Sequence, residues 1–248
     1  MQKAYQVEDY PVMAQGEKHF VINSGTSGLR LFVRFLPAQN PTPKARKTIL
    51  YIHGGTFPSA LSIAHRFNGF SWRDSLNAAG FDVWAFDFAG YGFSDRYAEM
   101  SQAASNNEPL GRAEEACQQI TQVVDFITEY AGITKLSIIA HSWGTLPAGL
   151  FATRAPHLLN RLVFFGPITY REPQQLPLPS LPAWLLLSIQ DQRKRFVEDV
   201  PPMAAPVLDP MLFEEWGNLY LASDSEALQR TPPSVKIPAG PVADIRKA

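Results

Sequence analysis

Residues 138–145, Ile-Ile-Ala-His-Ser-Trp-Gly-Thr, constrain the fold of this 248-residue chain more than any other segment. A run rich in β-branched residues stops at Ser142, which sits between the small residues Ala140 and Gly144, and a helical stretch follows over about 143–155. A strand that becomes a helix within so few residues tolerates only small neighbours, and it lifts the serine hydroxyl above the end of a sheet. The spacing fits a nucleophile elbow, with Ala140 where glycine is usual. The plainer alternative is a serine that only caps a helix.

The flanking pattern predicts an α/β protein. Residues 18–23 and 29–36 read as two strands joined through Ser24–Gly28, a hairpin-like pair. Thr48–Ile52 is a continuous apolar run suited to a strand buried on both faces. Ser71-Trp-Arg-Asp74 has capping-box spacing, Gly80 can stop the helix that follows, and Phe81–Phe88 reads as the next strand. Ala113, Ala116, Cys117, Ile120, Val123, Val124, Ile127 and Tyr130 recur at three and four residues and form one helical face, which Gly132 ends. Lys135–Ala140 and Arg161–Phe165 complete the strands. Strands alternating with helices predict a mostly parallel sheet flanked by helices.

The texture changes near Tyr170. Eleven of the 21 prolines lie between 171 and 240, interleaved with amphipathic segments at Trp184–Val200 and Met211–Ala222. Trp184, Leu185, Ile189 and Phe196 share a helical face, and Arg193-Lys194-Arg195 fits its solvated side. The expected organisation is a core over 1–169, a helical cap inserted at 170–235, and a return to the core from 236 to 248. Hydrophobic residues at 46% and charged residues at 18% suffice for a packed core.

A net charge of −1 gives no electrostatic reason for a nucleic-acid or anionic-membrane partner. The single cysteine, Cys117, excludes an internal disulfide and a cysteine-based metal cluster, and its position on an apolar helix face suits a small buried hydrophobe. The apolar stretch Trp184–Ile189 is too short to span a bilayer, and Met1–Tyr10 carries no apolar leader, so the expected location is the cytoplasm.

Three segments fall at strand ends, where ligands bind in open α/β sheets. They are His53-Gly54-Gly55-Thr56, the stretch Asp87-Phe-Ala-Gly-Tyr-Gly-Phe-Ser94-Asp95, and the turn at Ser142. Gly90-x-Gly92 is not a dinucleotide fingerprint, because the third glycine is missing and no helix starts there. In order and spacing the three segments resemble the α/β-hydrolase superfamily over about residues 18–169.

That resemblance implies Ser142 as nucleophile, with the backbone N–H groups of Gly55 and Trp143 as the oxyanion hole. It leaves Thr56 and His65 as candidate substrate contacts and assigns Asp87 and Ser94 to loop architecture. The implied reaction is hydrolysis of a small apolar ester or amide through an acyl-enzyme, with no cofactor and no metal. A lyase or C–C hydrolase on the same fold is a lesser alternative. A catalytically silent ligand-binding or interaction protein on that scaffold is the alternative of a different class.

The family's order is serine, acid, then histidine. None of the five histidines (His19, His53, His65, His141 and His157) lies beyond the cap. His53 belongs to its turn, His141 should point away from the serine hydroxyl, His157 reads as surface, and His19 begins a strand. His65 is in a loop that could overhang the pocket, which makes it the first candidate for a substitute base. Glu172 follows the strand that ends at Phe165, yet it reads as a loop charge. The chain reads either as the N-terminal portion of a longer hydrolase or as a shortened relative lacking the final strands. Ending at Ala248 would expose Arg161–Phe165 as an edge strand, which favours the first reading, and the chain alone is expected to be poorly soluble or to associate with another copy.

Overall fold

A computed structural model describes residues 5–6, 11, 13–25, 28–39, 47–170 and 180–247. Seven strands form one sheet: β1 (Tyr5–Gln6), β2 (Lys18–Asn23), β3 (Arg30–Leu36), β4 (Lys47–Ile52), β5 (Phe81–Phe86), β6 (Leu136–His141) and β7 (Leu159–Phe165). Their spatial order is β1-β2-β3-β5-β4-β6-β7. The β1–β2, β2–β3 and β3–β5 pairs are antiparallel. From β5 to β7 every pairing is parallel, so the half of the sheet that carries the serine turn is a parallel sheet.

Three helices make the crossovers: α1 (Trp72–Ala78), α2 (Ala113–Ala131) and α3 (Thr145–Arg154). Ser71 opens α1 with the reciprocal bonds its spacing predicts. Its hydroxyl accepts from the Asp74 N–H at 3.1 Å, and Asp74 Oδ2 accepts from the Ser71 N–H at 2.8 Å. Gly132 ends α2 at φ +63°, a left-handed conformation that costs a glycine little.

Strand alternation sends Ile49, Tyr51, Ala85 and Ile139 to the face that Leu76 of α1 helps to cover. Leu50, Ile52, Ile138 and Ala140 face the other way, onto Cys117, Ile120 and Val124 of α2 and Ala148 and Phe151 of α3. The sequence moves outward from β4 to β5 and then back to β6 on β4's other side. The winding order therefore reverses at β4, and the carboxyl ends of strands at such a switch point are where open α/β sheets bind ligands.

A buried ionic network braces the antiparallel half. Glu17 accepts from Arg34 at 2.7 Å and from Arg73 at 2.9 Å, and its side chain and both arginines are essentially inaccessible. Arg34 Nε donates to Ser59 Oγ at 2.9 Å, and the Ser59 N–H and hydroxyl both donate to Asp87 Oδ1, at 2.8 and 2.6 Å. Burial raises the Glu17 carboxyl pKa, but the His19 and Arg73 hydrogen bonds and the two arginine charges outweigh it and hold it well below the usual carboxylate range.

The segment after Tyr170 differs from the helix expected at Trp184–Val200. Trp184–Ser188 is a strand, β8, paired antiparallel with β9 (Ser234–Pro238). The helix α4 spans only Ile189–Val197 and begins at a capping box of Ser188 and Asp191. Ladder pairing accounts for the difference, because β8 satisfies its backbone on a strand far along the chain. The second expected helix is present as α5 (Pro210–Ala222), capped by Asp209.

The indole N–H of Trp216 donates to the Leu61 carbonyl at 3.0 Å and ties α5 to the loop after β4. A final short helix, α6 (Gly240–Ile245), returns to the core. At the far edge of the sheet, β7 leaves Val163, Phe164 and Phe165 at 43–55% exposure among the described residues.

Candidate active site

The turn between β6 and α3 has the geometry its sequence suggests. His141 is extended, Ser142 adopts φ +52°, and Thr145 is already in the helical region. For a residue with a Cβ, that positive φ costs on the order of 1–3 kcal/mol and persists only where the surroundings enforce it. Here they do. A Cβ on Gly144 would lie 2.4 Å from the His53 carbonyl oxygen, so the turn presses directly against the loop after β4. The Thr145 hydroxyl locks the turn further by donating to the Ser142 carbonyl at 2.7 Å.

This close approach brings three of the sequence-derived positions together. A Cβ on Gly54 would stand 3.1 Å from Ser142 Cβ, and one on Gly55 would stand 3.5 Å from Trp143 Cβ. Gly55 is further held by Tyr91, whose hydroxyl donates to its carbonyl at 2.8 Å. Trp143 is buried, and its indole N–H donates to Asp244 Oδ2 at 3.1 Å. Thr56 is buried in the same loop.

Among the described residues no side chain hydrogen-bonds the Ser142 hydroxyl. The five histidines are engaged elsewhere or distant in role. His53 is fully buried, its Nε2 accepting from the Phe88 N–H at 3.0 Å and its Nδ1 lying 2.6 Å from the Gly54 carbonyl. Burial pushes its pKa down against the opposing Asp87 charge and Gly54 contact, which keeps the ring neutral. His19 lies 3.3 Å from Glu17, and His157 is exposed.

His65 is buried, both ring nitrogens lack a partner among the described residues, and the ring packs edge-on against Phe67 at 4.3 Å. Its own burial pushes its pKa down against the Glu215 charge. It does not line the cavity described next, although the loop carrying it does. Glu172 lies outside the described residues.

A cavity of about 440 Å³ lies between the sheet and helices α4 and α5. On the sheet side it is lined by Tyr51, Phe57, Trp72, His141 and Phe165, and on the helix side by residues that include Phe196, Phe213 and Trp216. Ser142 and Gly55 are not part of its wall. His141, the residue before the serine, is, and its buried Nδ1 has no partner among the described residues. Burial lowers the His141 pKa as well, so an uncharged ring faces an aromatic space.

Asp87 and Ser94, assigned from the sequence to loop architecture, bond backbone. Asp87 Oδ2 accepts from the Phe93 N–H at 3.1 Å, and Ser94 Oγ accepts from the Phe32 N–H at 2.9 Å. Sequence reasoning missed Asp244, which carries no motif of its own and reaches the turn only through the tertiary path of the last described helix. Among the described residues there is no cluster of His, Cys, Asp and Glu able to hold a metal ion, and no helix is long and apolar enough to cross a membrane.

Residues 47–198, more than half of the chain, match the family described as the alpha/beta hydrolase fold, and the chain belongs to that family. No curated protein matches it. Among solved structures it is similar to Cfl2 from Burkholderia cenocepacia, at 20% identity and a TM-score of 0.46 over 71% of this chain and 50% of that one. It is also similar to potato (Solanum tuberosum) epoxide hydrolase I, at 17% identity and a TM-score of 0.47 over 74% and 47%. An epoxide hydrolase from Bacillus megaterium gives 21% identity and a TM-score of 0.40 over 59% and 42%. The chain thus spans half or less of the length of each of these structures.

Proposed function

We propose that this chain carries the nucleophile half of a serine hydrolase, in which Ser142 attacks the carbonyl of an ester. The observation that carries the reading is Ser142 at φ +52° on a strand-to-helix turn, with Gly55 packed beside Trp143. A strained serine at a sheet's switch point has no packing purpose, since glycine would hold the same backbone more cheaply. Backbone N–H groups of Gly55 and Trp143 would stabilise the oxyanion that forms on the attacked carbonyl, a contribution of about 3–4 kcal/mol per donor in comparable sites.

The serine proton needs a base, and an acid to orient that base. Neither is at hand among the described residues, so residual rather than full turnover is the expectation for this chain. The aromatic cavity under the cap supports an apolar acyl or alcohol group, in line with a small apolar ester or amide substrate and no cofactor. The experiment is turnover of short p-nitrophenyl esters by the chain and by Ser142→Ala. A slow release abolished by the substitution supports the reading, whereas equal rates in both proteins defeat it.

The catalytically silent binding protein is favoured by one observation, that no side chain among the described residues hydrogen-bonds the Ser142 hydroxyl. Ligand binding in the cavity with no Ser142-dependent chemistry would establish it.

A further inference from the structure

Two residues of the last described helix meet the two residues whose backbone N–H groups are read as oxyanion donors. Pro241 Cβ lies 2.6 Å from where a Gly55 Cβ would stand, so Pro241 packs flush on the glycine. Asp244, one helical turn on, accepts from the Trp143 indole N–H at 3.1 Å through Oδ2. The same oxygen accepts from the Ala113 N–H at 2.7 Å, and Oδ1 accepts from Arg112 Nε. Arg112 stands at the start of α2 and offers no side-chain cap of its own, so a carboxylate from 131 residues away fills that place.

The helix that brings these groups is fixed as tightly as the turn itself. The Gly240 N–H donates to the Leu110 carbonyl at 2.7 Å, and a Cβ on Gly240 would sit 2.3 Å from that carbonyl oxygen. Ala239 donates to the Ala183 carbonyl at 3.1 Å, and Leu110 donates to the same oxygen at 3.1 Å. Entry to the cap, exit from it and the start of α2 are thereby joined at one point, and α6 is the extension of that joint toward Gly55 and Trp143.

We propose that Asp244 is a positioning residue for the oxyanion hole: it holds Trp143 by its indole while Pro241 seats Gly55, so that both N–H groups converge beside Ser142. The inference rests on Ser142 being the nucleophile. A buried tryptophan beside Phe88 could pack on apolar contacts alone. Its N–H instead meets a carboxylate already bound at the first turn of α2, which fixes the angle of the indole and, through it, the backbone from which the neighbouring N–H projects. Geometry of this kind is where small displacements are costly, since about 1 Å of misplacement can lower a rate on the order of 100-fold.

The test is the kinetics of Ser142 modification by a fluorophosphonate, followed by intact mass, with the maximal rate separated from the half-saturating concentration. Asp244→Asn, Trp143→Phe and the double variant are compared with the wild-type chain, and urea melts report folding. Trp143→Phe removes the one hydrogen bond and leaves the Asp244–Ala113–Arg112 contacts in place, so it stands alone should Asp244→Asn not fold. Each single variant is expected to lose about tenfold or more in maximal rate, with half-saturation nearly unchanged. The double variant is expected to be little worse than either one.

A merely structural Asp244 would shift the melt and leave the rate of the folded protein alone. Folded single variants that label as fast as wild type would overturn the proposal, as would an Asp244→Asn effect undiminished in the Trp143→Phe background. A wild-type chain that takes no label on Ser142 removes the underlying reading instead, which is a different result.

Discussion

Gly144 and the His53 carbonyl meet so closely that a single added methyl group would stand 2.4 Å from the oxygen. The contact joins the serine turn to the loop after β4, and it explains why the second small position of the motif admits no side chain. Gly144→Ala is expected to destabilise the fold by about 1–3 kcal/mol through overpacking against backbone that cannot move aside. Gly149, five residues further on and inside α3, is the internal control. Its Cβ would meet only Phe164 at 3.7 Å, so Gly149→Ala should stabilise by up to about 1 kcal/mol through helix propensity. Urea midpoints of the two variants, moving in opposite directions, are the measurement.

Ser142 stores strain that a change of side chain can release. Ser142→Gly is expected to be more stable than Ser142→Ala by about 1 kcal/mol, because alanine keeps the penalty of φ +52° and glycine does not. Both variants should lose Ser142-dependent chemistry. Paired thermal melts decide it, and equal stabilities would mean that the positive φ carries no cost.

Among the groups that make stability depend on pH, His53 and Glu17 act in different ranges. His53 has its pKa lowered from 6.5 by burial, so the unfolded chain binds a proton that the folded one refuses. Stability is then whole above pH 6.5 and falls as the pH drops below it, by about 1.4 kcal/mol per pH unit for one proton. Glu17 acts lower. Its carboxylate is favoured in the fold, and its contribution is present above about 4.5 and lost as the pH falls further. Glu17→Gln, which leaves Arg34 and Arg73 buried and unpaired, is expected to cost about 3–5 kcal/mol at neutral pH. The gap to wild type should narrow below pH 4.5, measured as urea midpoints across the range.

Among the described residues no strand pairs with the outer side of β7. Val163 is 49% exposed on a terminal strand, flanked by equally exposed Phe164 and Phe165. Such edges invite association. The chain is expected to self-associate with rising concentration in sedimentation velocity, and Val163→Lys to suppress this by placing a charge in the patch. A wild-type chain that stays monomeric at high concentration would remove the expectation.

Local signals made the sheet and the turn legible in advance. β2, β3, β4, α1 and α2 lie within a residue or two of where periodicity, capping spacing and Gly132 put them. The helix expected from Trp184 failed at its first turn because β8 depends on β9, and pairing across 46 residues in the Ser188–Ser234 register leaves no local trace. One local sign was present and unused, the Ser188–Asp191 capping box that marks the true start of α4. Around the candidate site, spacing drew attention to the turn at Ser142 and the family resemblance to Gly55 and Trp143, while neither pointed to Asp244 or Pro241. Their roles arise only when α6 folds back on the loops, and nothing in Pro241-Val-Ala-Asp244 announces a partner. The Glu17–Arg34–Arg73 network was equally hidden, since a charge in a loop, strand or helix reads as solvent-facing until its partner is known.

The central claim is that Ser142 is a nucleophile rather than a helix cap. Its most direct measurement is the site and extent of covalent labelling of the full chain by a fluorophosphonate, read by intact mass and peptide mapping. A single adduct on Ser142, absent from Ser142→Ala, is the expected result. No adduct on the folded chain, or equal labelling of the Ser142→Ala variant, would contradict it.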